Sequence, residues 1–267
     1  MGIPRPDRSV RLSADWPEVA ILYEDADLLA VNKPAGLLVA PDRWDKRKEN
    51  LMGLLHDAVA CRRPWVVEAG LTYLANVHRL DRFTSGVLLL AKNRPALVHL
   101  ARQFLARTPR KTYVALIEGT LPETPLTVAL PIGPHTALPG RARVDRAQGK
   151  PARTVFTLRE RFRRCSLIQA EPASGRLHQI RVHLKAVGCP LMADADYGPG
   201  APLLLSRLKP DYKMKREGEL PLMARPALHA EKLEIEQPTS GARISIEAPW
   251  PKDFVVALKY LRKFAAA

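Results

Sequence analysis

Strand-length and helix-length apolar patterns follow one another along this chain without the regular alternation that a doubly wound parallel sheet requires. Leu28-Leu29-Ala30-Val31 is a short apolar run closed by the turn formers Pro34 and Gly36, and Val87-Leu88-Leu89-Leu90-Ala91 is a second. Lys111-Thr112-Tyr113-Val114-Ala115-Leu116-Ile117, aromatic and β-branched and stopped by Gly119, is a third. Further strands are expected at 154–158 and 166–171, and a hairpin at 228–235 and 242–248 turning through Pro238-Thr239-Ser240-Gly241. Helical spacing appears over Leu51, Leu54, Leu55, Ala58 and Val59, and over Leu97, Leu100, Ala101, Phe104 and Leu105 behind an Asn93 cap. It returns at Ile180, Leu184 and Val187, and at Phe254, Val255, Leu258, Leu261 and Phe264. The expected fold class is α+β, a mixed, mainly antiparallel β-sheet with flanking helices. Residues 1–17 read as a flexible lead and 18–267 as one folded domain. Residues 122–151, rich in Pro and Gly and carrying Arg141, Arg143, Arg146 and Lys150, read as an exposed basic excursion.

Charge narrows the partners. The 267 residues carry 42 Lys plus Arg against 27 Asp plus Glu, a net +15. Guanidiniums fork onto phosphate oxygens, and each phosphate neutralised releases counterions, so the expected partner is a nucleic acid bound with strong salt dependence. No long basic amphipathic helix with an aromatic face favours a lipid surface, and no apolar stretch reaches membrane-spanning length. Cys61, Cys165 and Cys189 are scattered, without ligand spacing to histidines. Neither a disulfide framework nor a metal site is expected, which suits a cytoplasmic protein.

One polar cluster precedes the second apolar run. In His78-Arg79-Leu80-Asp81-Arg82-Phe83-Thr84-Ser85-Gly86 a single carboxylate stands between two guanidiniums, followed by residues able to supply hydroxyl and backbone donors. By itself this reads as a surface ion pair at the mouth of a strand. A second cluster is Arg110-Lys111 before Tyr113, which alone reads as a half-buried strand tyrosine. A third is Ser174-Gly175-Arg176-Leu177-His178-Gln179-Ile180-Arg181-Val182-His183.

Taken together, with the earlier Asn32-Lys33-Pro34-Ala35-Gly36, these strings resemble the RluA-type RNA pseudouridine synthases over roughly residues 21–261. Gly149-Lys150-Pro151-Ala152 and Asp194-Ala195-Asp196-Tyr197-Gly198 extend the resemblance. It implies that Asp81 is the catalytic aspartate of a uridine isomerase, as nucleophile or general base. It implies that Arg181 pairs with Asp81, with Arg176 as the alternative, and that Tyr113 stacks on the target base. Arg79 matches the residue that fills the stack vacated by a flipped uridine. Substrate-binding roles therefore fall on Arg79 and Arg176, and structural roles on His78, His183, Lys33 and Pro34. No cofactor or metal is implied. The expected partner is ribosomal or transfer RNA, with no DNA or membrane, and the expected state is a monomer. Residues 18–267 become the catalytic domain, with no room before them for the small separate RNA-binding module that many members carry. Cys189 and Ala193 depart from the family's usual His and Gly. The rival readings are a noncatalytic RNA-binding or chaperone protein on the same fold, and a glycosidase, which needs a second carboxylate beside Asp81.

Overall fold

The computed structural model describes residues 8–42, 45–213 and 218–267. In chain order the strands are β1 (Ser9–Val10), β2 (Val19–Glu24), β3 (Leu28–Lys33), β4 (Ala75–Asn76), β5 (Ser85–Ala91), β6 (Arg110–Glu118), β7 (Leu126–Val128), β8 (Ile132–Pro134), β9 (Ala142–Val144), β10 (Thr154–Arg161), β11 (Cys165–Pro172), β12 (Leu228–Glu236) and β13 (Arg243–Glu247). The helices are α1 (Leu51–Ala60), α2 (Pro64–Glu68), α3 (Arg94–Ala106), α4 (Gln179–Ala186) and α5 (Lys252–Phe264). They divide between two compact units, one of residues 1–111 and 230–249, the other of residues 112–229 and 250–267.

In the first unit β1 pairs with β2, β2 with β3, β3 and β4 with β5, and β12 with β13, all antiparallel. β5 is buried along its whole length. Its Gly86 has φ +115°, and a Cβ there would stand 2.2 Å from Ala230 O, so only glycine admits this approach of two backbones. Helices α1 and α3 start where Asn50 and Asn93 accept the Gly53 and Ala96 N–H groups. On α3 the expected stripe holds at Leu100, which is buried, and at Leu97 and Phe104, which pack against the same core, whereas Ala101 and Leu105 are exposed and Ala96 and Gln103 are buried instead. Gln103 turns inward because its amide clamps Glu236 in β12, accepting from its N–H at 3.0 Å and donating to its carbonyl at 2.7 Å. Of the lead, Ser9 and Val10 pair with Ala20 and Val19, and Leu12 is buried; residues 1–7 lie outside those described.

The second unit lays β7, β10, β11 and β6 side by side, the registered pairs antiparallel. Phe156, Ile168, Ile180 and Leu184 pack on one side, and Leu116, Leu167, Phe254 and Leu258 in a second cluster. On α5 the expected apolar face holds at Phe254, Leu258 and Leu261, whereas Val255 is exposed. The 122–151 segment is more ordered than its composition suggests. It forms β7 and the β8–β9 hairpin, burying Leu126, Val128, Ile132 and Ala142 while its arginines stay outward or half-buried. Three-residue strands are too short for alternation to show in the sequence.

His78 is structural. Its Nε2 accepts the Leu89 N–H at 2.9 Å and its ring stacks on Phe104 at 5.2 Å. Burial, helped by the charge of Lys111, pushes its pKa down to about 3. The unfolded chain therefore takes up the proton first, so this contribution to stability is present above about pH 6.5 and is lost as the pH falls toward about 3. Imidazole 15N spectra should keep His78 neutral, with its proton on Nδ1, from pH 7 down to about pH 5. A titration midpoint near the ordinary histidine value would refute this burial.

Candidate active site

The Asp81 loop is fastened by a buried lysine. Lys33, the last residue of β3, is fully buried, and its Nζ donates to the carbonyl oxygens of Pro34 at 2.7 Å, Leu37 at 2.8 Å and Arg82 at 3.1 Å. The Gly36 N–H donates to the same Arg82 oxygen at 2.8 Å, and Arg82 Nε donates back to Gly36 O at 2.9 Å. The residue after Asp81 is thereby tied to the 33–37 turn by both its main chain and its side chain. Thr84 N–H donates to Asp81 O at 3.1 Å, closing a turn, and Leu80, Thr84 and Ser85 on either side are buried. Asp81 itself is half-buried, while Arg79, Arg82 and Phe83 are exposed. Of the two flanking arginines, Arg82 braces the loop through Gly36 and lies 5.1 Å from the Phe83 ring centroid, and Arg79 projects into solvent.

The second unit carries Tyr113, Arg176 and Arg181. Tyr113 sits opposite Ala170 near the start of β6, half-buried against the cluster of Ile168 and Ile180. Two residues before it, Lys111 has its pKa pushed down to about 8, chiefly by burial, with the Arg107 charge adding to the effect. Arg181 is not a solvated helix arginine. It is buried on α4, gripping Asp194 with Nε and Nη2 at 2.7 Å each, and Nη2 also reaches Asp196 at 2.8 Å. Its guanidinium lies 4.7 Å from the Tyr197 ring centroid. Asp194 and Asp196 were visible in sequence only as a late string; their role as partners of Arg181 comes from the fold. Arg176 lies half-buried in the preceding loop, its Nε donating to Pro151 O at 3.2 Å.

A directional hydrogen-bond chain fixes the start of α4. Gln179 accepts from Ser174 Oγ at 2.7 Å and from the Arg176 N–H at 3.1 Å, and donates to Arg153 O at 3.0 Å and Thr154 Oγ1 at 3.1 Å. Thr154 bonds His183 Nδ1 at 2.9 Å, and His183 Nε2 donates to Leu130 O at 2.9 Å, which defines a neutral ring whose pKa burial pushes down. Cys189 is buried with its thiol on Thr120 O at 3.2 Å. Ala193 adopts φ +58°, the region that favours glycine and costs other residues about 1–2 kcal/mol. Burial of its methyl against Met192 and Phe254 contributes about 0.8 kcal/mol in return. Among the described residues no His, Cys, Asp and Glu group could hold a metal, and no helix is long and apolar enough to cross a membrane.

This is a mixed-sheet α+β protein with a braced aspartate and a carboxylate-held arginine, and its likeness to known proteins gives its class. A family model described as RNA pseudouridylate synthase matches residues 27–186. The chain is 38% identical to the ribosomal large subunit pseudouridine synthase D of Nitrosomonas europaea over 91% of its own length and 65% of that protein. It is 33% identical to the uncharacterized RNA pseudouridine synthase YlyB of Bacillus subtilis over 98% of this chain and 78% of that one. The solved structure of human RNA Pseudouridylate Synthase Domain Containing 1 matches with a TM-score of 0.62 at 27% identity, covering 87% of this chain and 84% of that chain. The chain belongs to the RNA pseudouridylate synthase family.

Lys33→Met keeps most of the volume but takes the ammonium away from the Pro34 and Leu37 carbonyls and leaves that of Arg82 with the Gly36 N–H alone. Unfolding free energy in urea should fall by about 3 kcal/mol. An unchanged denaturation midpoint would show that the loop does not depend on the ammonium.

Proposed function

We propose that this chain isomerises specific uridines of structured RNA to pseudouridine without a cofactor. The carrying observation is Asp81, held half-buried on a loop braced through Lys33 and Arg82, in a chain of this family. In the reaction the N1–C1′ bond of uridine breaks, the uracil turns, and a C5–C1′ bond forms. The C5 proton is lost and N1 gains one, so no water is consumed and no redox change occurs. Asp81 acts on the ribose, either at C1′ or at a sugar proton. Arg181 orients its carboxylate. Tyr113 stacks on the uracil and assists removal of the C5 proton. Arg79, exposed beside Asp81, enters the gap left by the flipped nucleotide, and Arg176 holds phosphate or sugar.

The net charge of +15 supports a polyanionic substrate. Large-subunit ribosomal RNA is the favoured substrate because relatives at 38% and 35% identity carry that RNA in their names. The domain acts from the cytoplasm and as a monomer.

Asp81→Asn preserves shape and removes the anion. The variant should bind RNA with wild-type affinity and form no pseudouridine in chemical mapping of ribosomal RNA; product formation by the Asn variant would sink the mechanism. RNA affinity of the wild type should fall steeply between about 50 and 200 mM salt. A flat salt response would remove the phosphate-tracking account.

A further inference from the structure

Arg181 is joined to the β8–β9 hairpin by two separate contacts that run through the 194–197 turn. Asp196 shares its carboxylate, with one oxygen on Arg181 Nη2 at 2.8 Å and the other on Arg141 Nη2 at 2.6 Å. Tyr197, whose ring lies beside the Arg181 guanidinium, accepts the Ala142 N–H through its hydroxyl at 2.8 Å and bonds His178 Nδ1 at 2.8 Å. Ala142 opens β9 with Arg141 just before it, and Ile132, Ala142, Val182 and Tyr197 share one small apolar cluster. Motion of the hairpin cannot leave Arg181 untouched.

The same segment offers cations to a ligand. Asp145 accepts the N–H groups of Ala147 at 3.1 Å and Gln148 at 3.0 Å, and these backbone bonds first, then the Arg143 charge, hold its carboxyl below the usual range. The turn is tight: a Cβ on Gly149 would stand 2.3 Å from Asp145 O. It presents Arg146 and Lys150, with Arg153 just beyond, all exposed and none with a carboxylate at ion-pair distance among the described residues. Arg143 pairs with Asp145 and Arg141 with Asp196, so the hairpin holds two of its cations and leaves the others to solvent. A rigid turn bearing unpaired cations fits the phosphates of structured RNA.

We infer that Asp196 and Tyr197 are positioning residues, a strut that couples RNA contact on the β8–β9 hairpin to the orientation of Arg181. This rests on the isomerase reading for its effect on turnover, but the coupling itself is independent of it. The strut acts on geometry and not on affinity: phosphates are met by Arg146, Lys150 and Arg153, while Asp196 and Arg141 transmit the constraint. Misplacement of an orienting group by a fraction of an ångström lowers turnover without weakening binding.

The test uses the full chain with an in vitro transcript of large-subunit ribosomal RNA for turnover and a short RNA stem-loop for spectra. Asp196→Asn and Arg141→Gln should each lower kcat about tenfold with KM changed less than about twofold. The double variant should be no slower than either single one, since both cut the same strut. Arg141→Lys, which keeps the charge, should recover part of the loss. A multiplicative double variant, or losses confined to KM, would overturn the strut. The Arg181 Nε–H resonance supplies a readout that needs no turnover: the stem-loop should shift it in the wild type and clearly less in Arg141→Gln, which keeps only the Tyr197 contact. Equal shifts in both, or none in either, would also overturn it. If the wild type makes no pseudouridine in any RNA, the isomerase reading fails, and the resonance alone decides the strut.

Discussion

A buried ammonium sets the direction in which the Asp81 loop leaves its sheet. Left unmatched, the Lys33 charge would be costly inside the protein; with the Pro34, Leu37 and Arg82 carbonyls around it, it becomes the centre from which two loops are measured. The turn after β3 and the residue after Asp81 cannot move apart without breaking both the ammonium and the Gly36 N–H bonds to the Arg82 carbonyl. Gly86 complements this from the other side, because its missing side chain lets β5 lie against Ala230. The position of Asp81 is thus defined by main-chain geometry on both sides, which is what the proposed action at one atom of a sugar would require.

The second unit solves a related problem with balanced charge. Arg181 and Arg141 face Asp194 and Asp196, two cations against two anions, with each carboxylate oxygen of Asp196 on a different guanidinium. Arg181 and Asp194 are buried, where low dielectric strengthens the pair and penalises any vacancy, whereas Arg141 and Asp196 are about one-third exposed and correspondingly weaker. The cluster therefore grades from a fixed inner pair to a yielding outer one.

Much of this was legible in the sequence, and the parts that were not have physical reasons. β3, β5, β6 and α5 announce themselves because each presents an apolar run of at least four residues or a stripe longer than one turn, and β10 and β11 through β-branched and apolar residues close together. β7, β8 and β9 do not, since three residues carry no period. On α3 the apolar spacing points Leu97, Leu100 and Phe104 correctly to the core but does not show that Leu105 is exposed and Gln103 buried, because only the backbone of Glu236 explains why the amide goes inward. Asp81, Tyr113 and Arg181 stood out through their surrounding strings. Lys33 as a brace and Asp196 as a shared carboxylate did not, because both roles consist of contacts between residues far apart in the chain. The Gly preference at position 193 is explained by its left-handed backbone, which Ala193 adopts against its own inclination.

The division of the chain between its two units carries a consequence for synthesis. The first unit needs Leu233, Ile235, Ile246 and Ala248 to complete a core begun with Leu28 and Leu89, and the second needs Phe254, Leu258 and Leu261. On a translating ribosome the first unit cannot complete its core until residues 230–249 have emerged, nor the second until residues 250–264 have. Until residue 230 has emerged the chain carries two unfinished cores. A truncation before Leu233 would therefore leave both cores unfinished, whereas one just after Pro249 would spare the first.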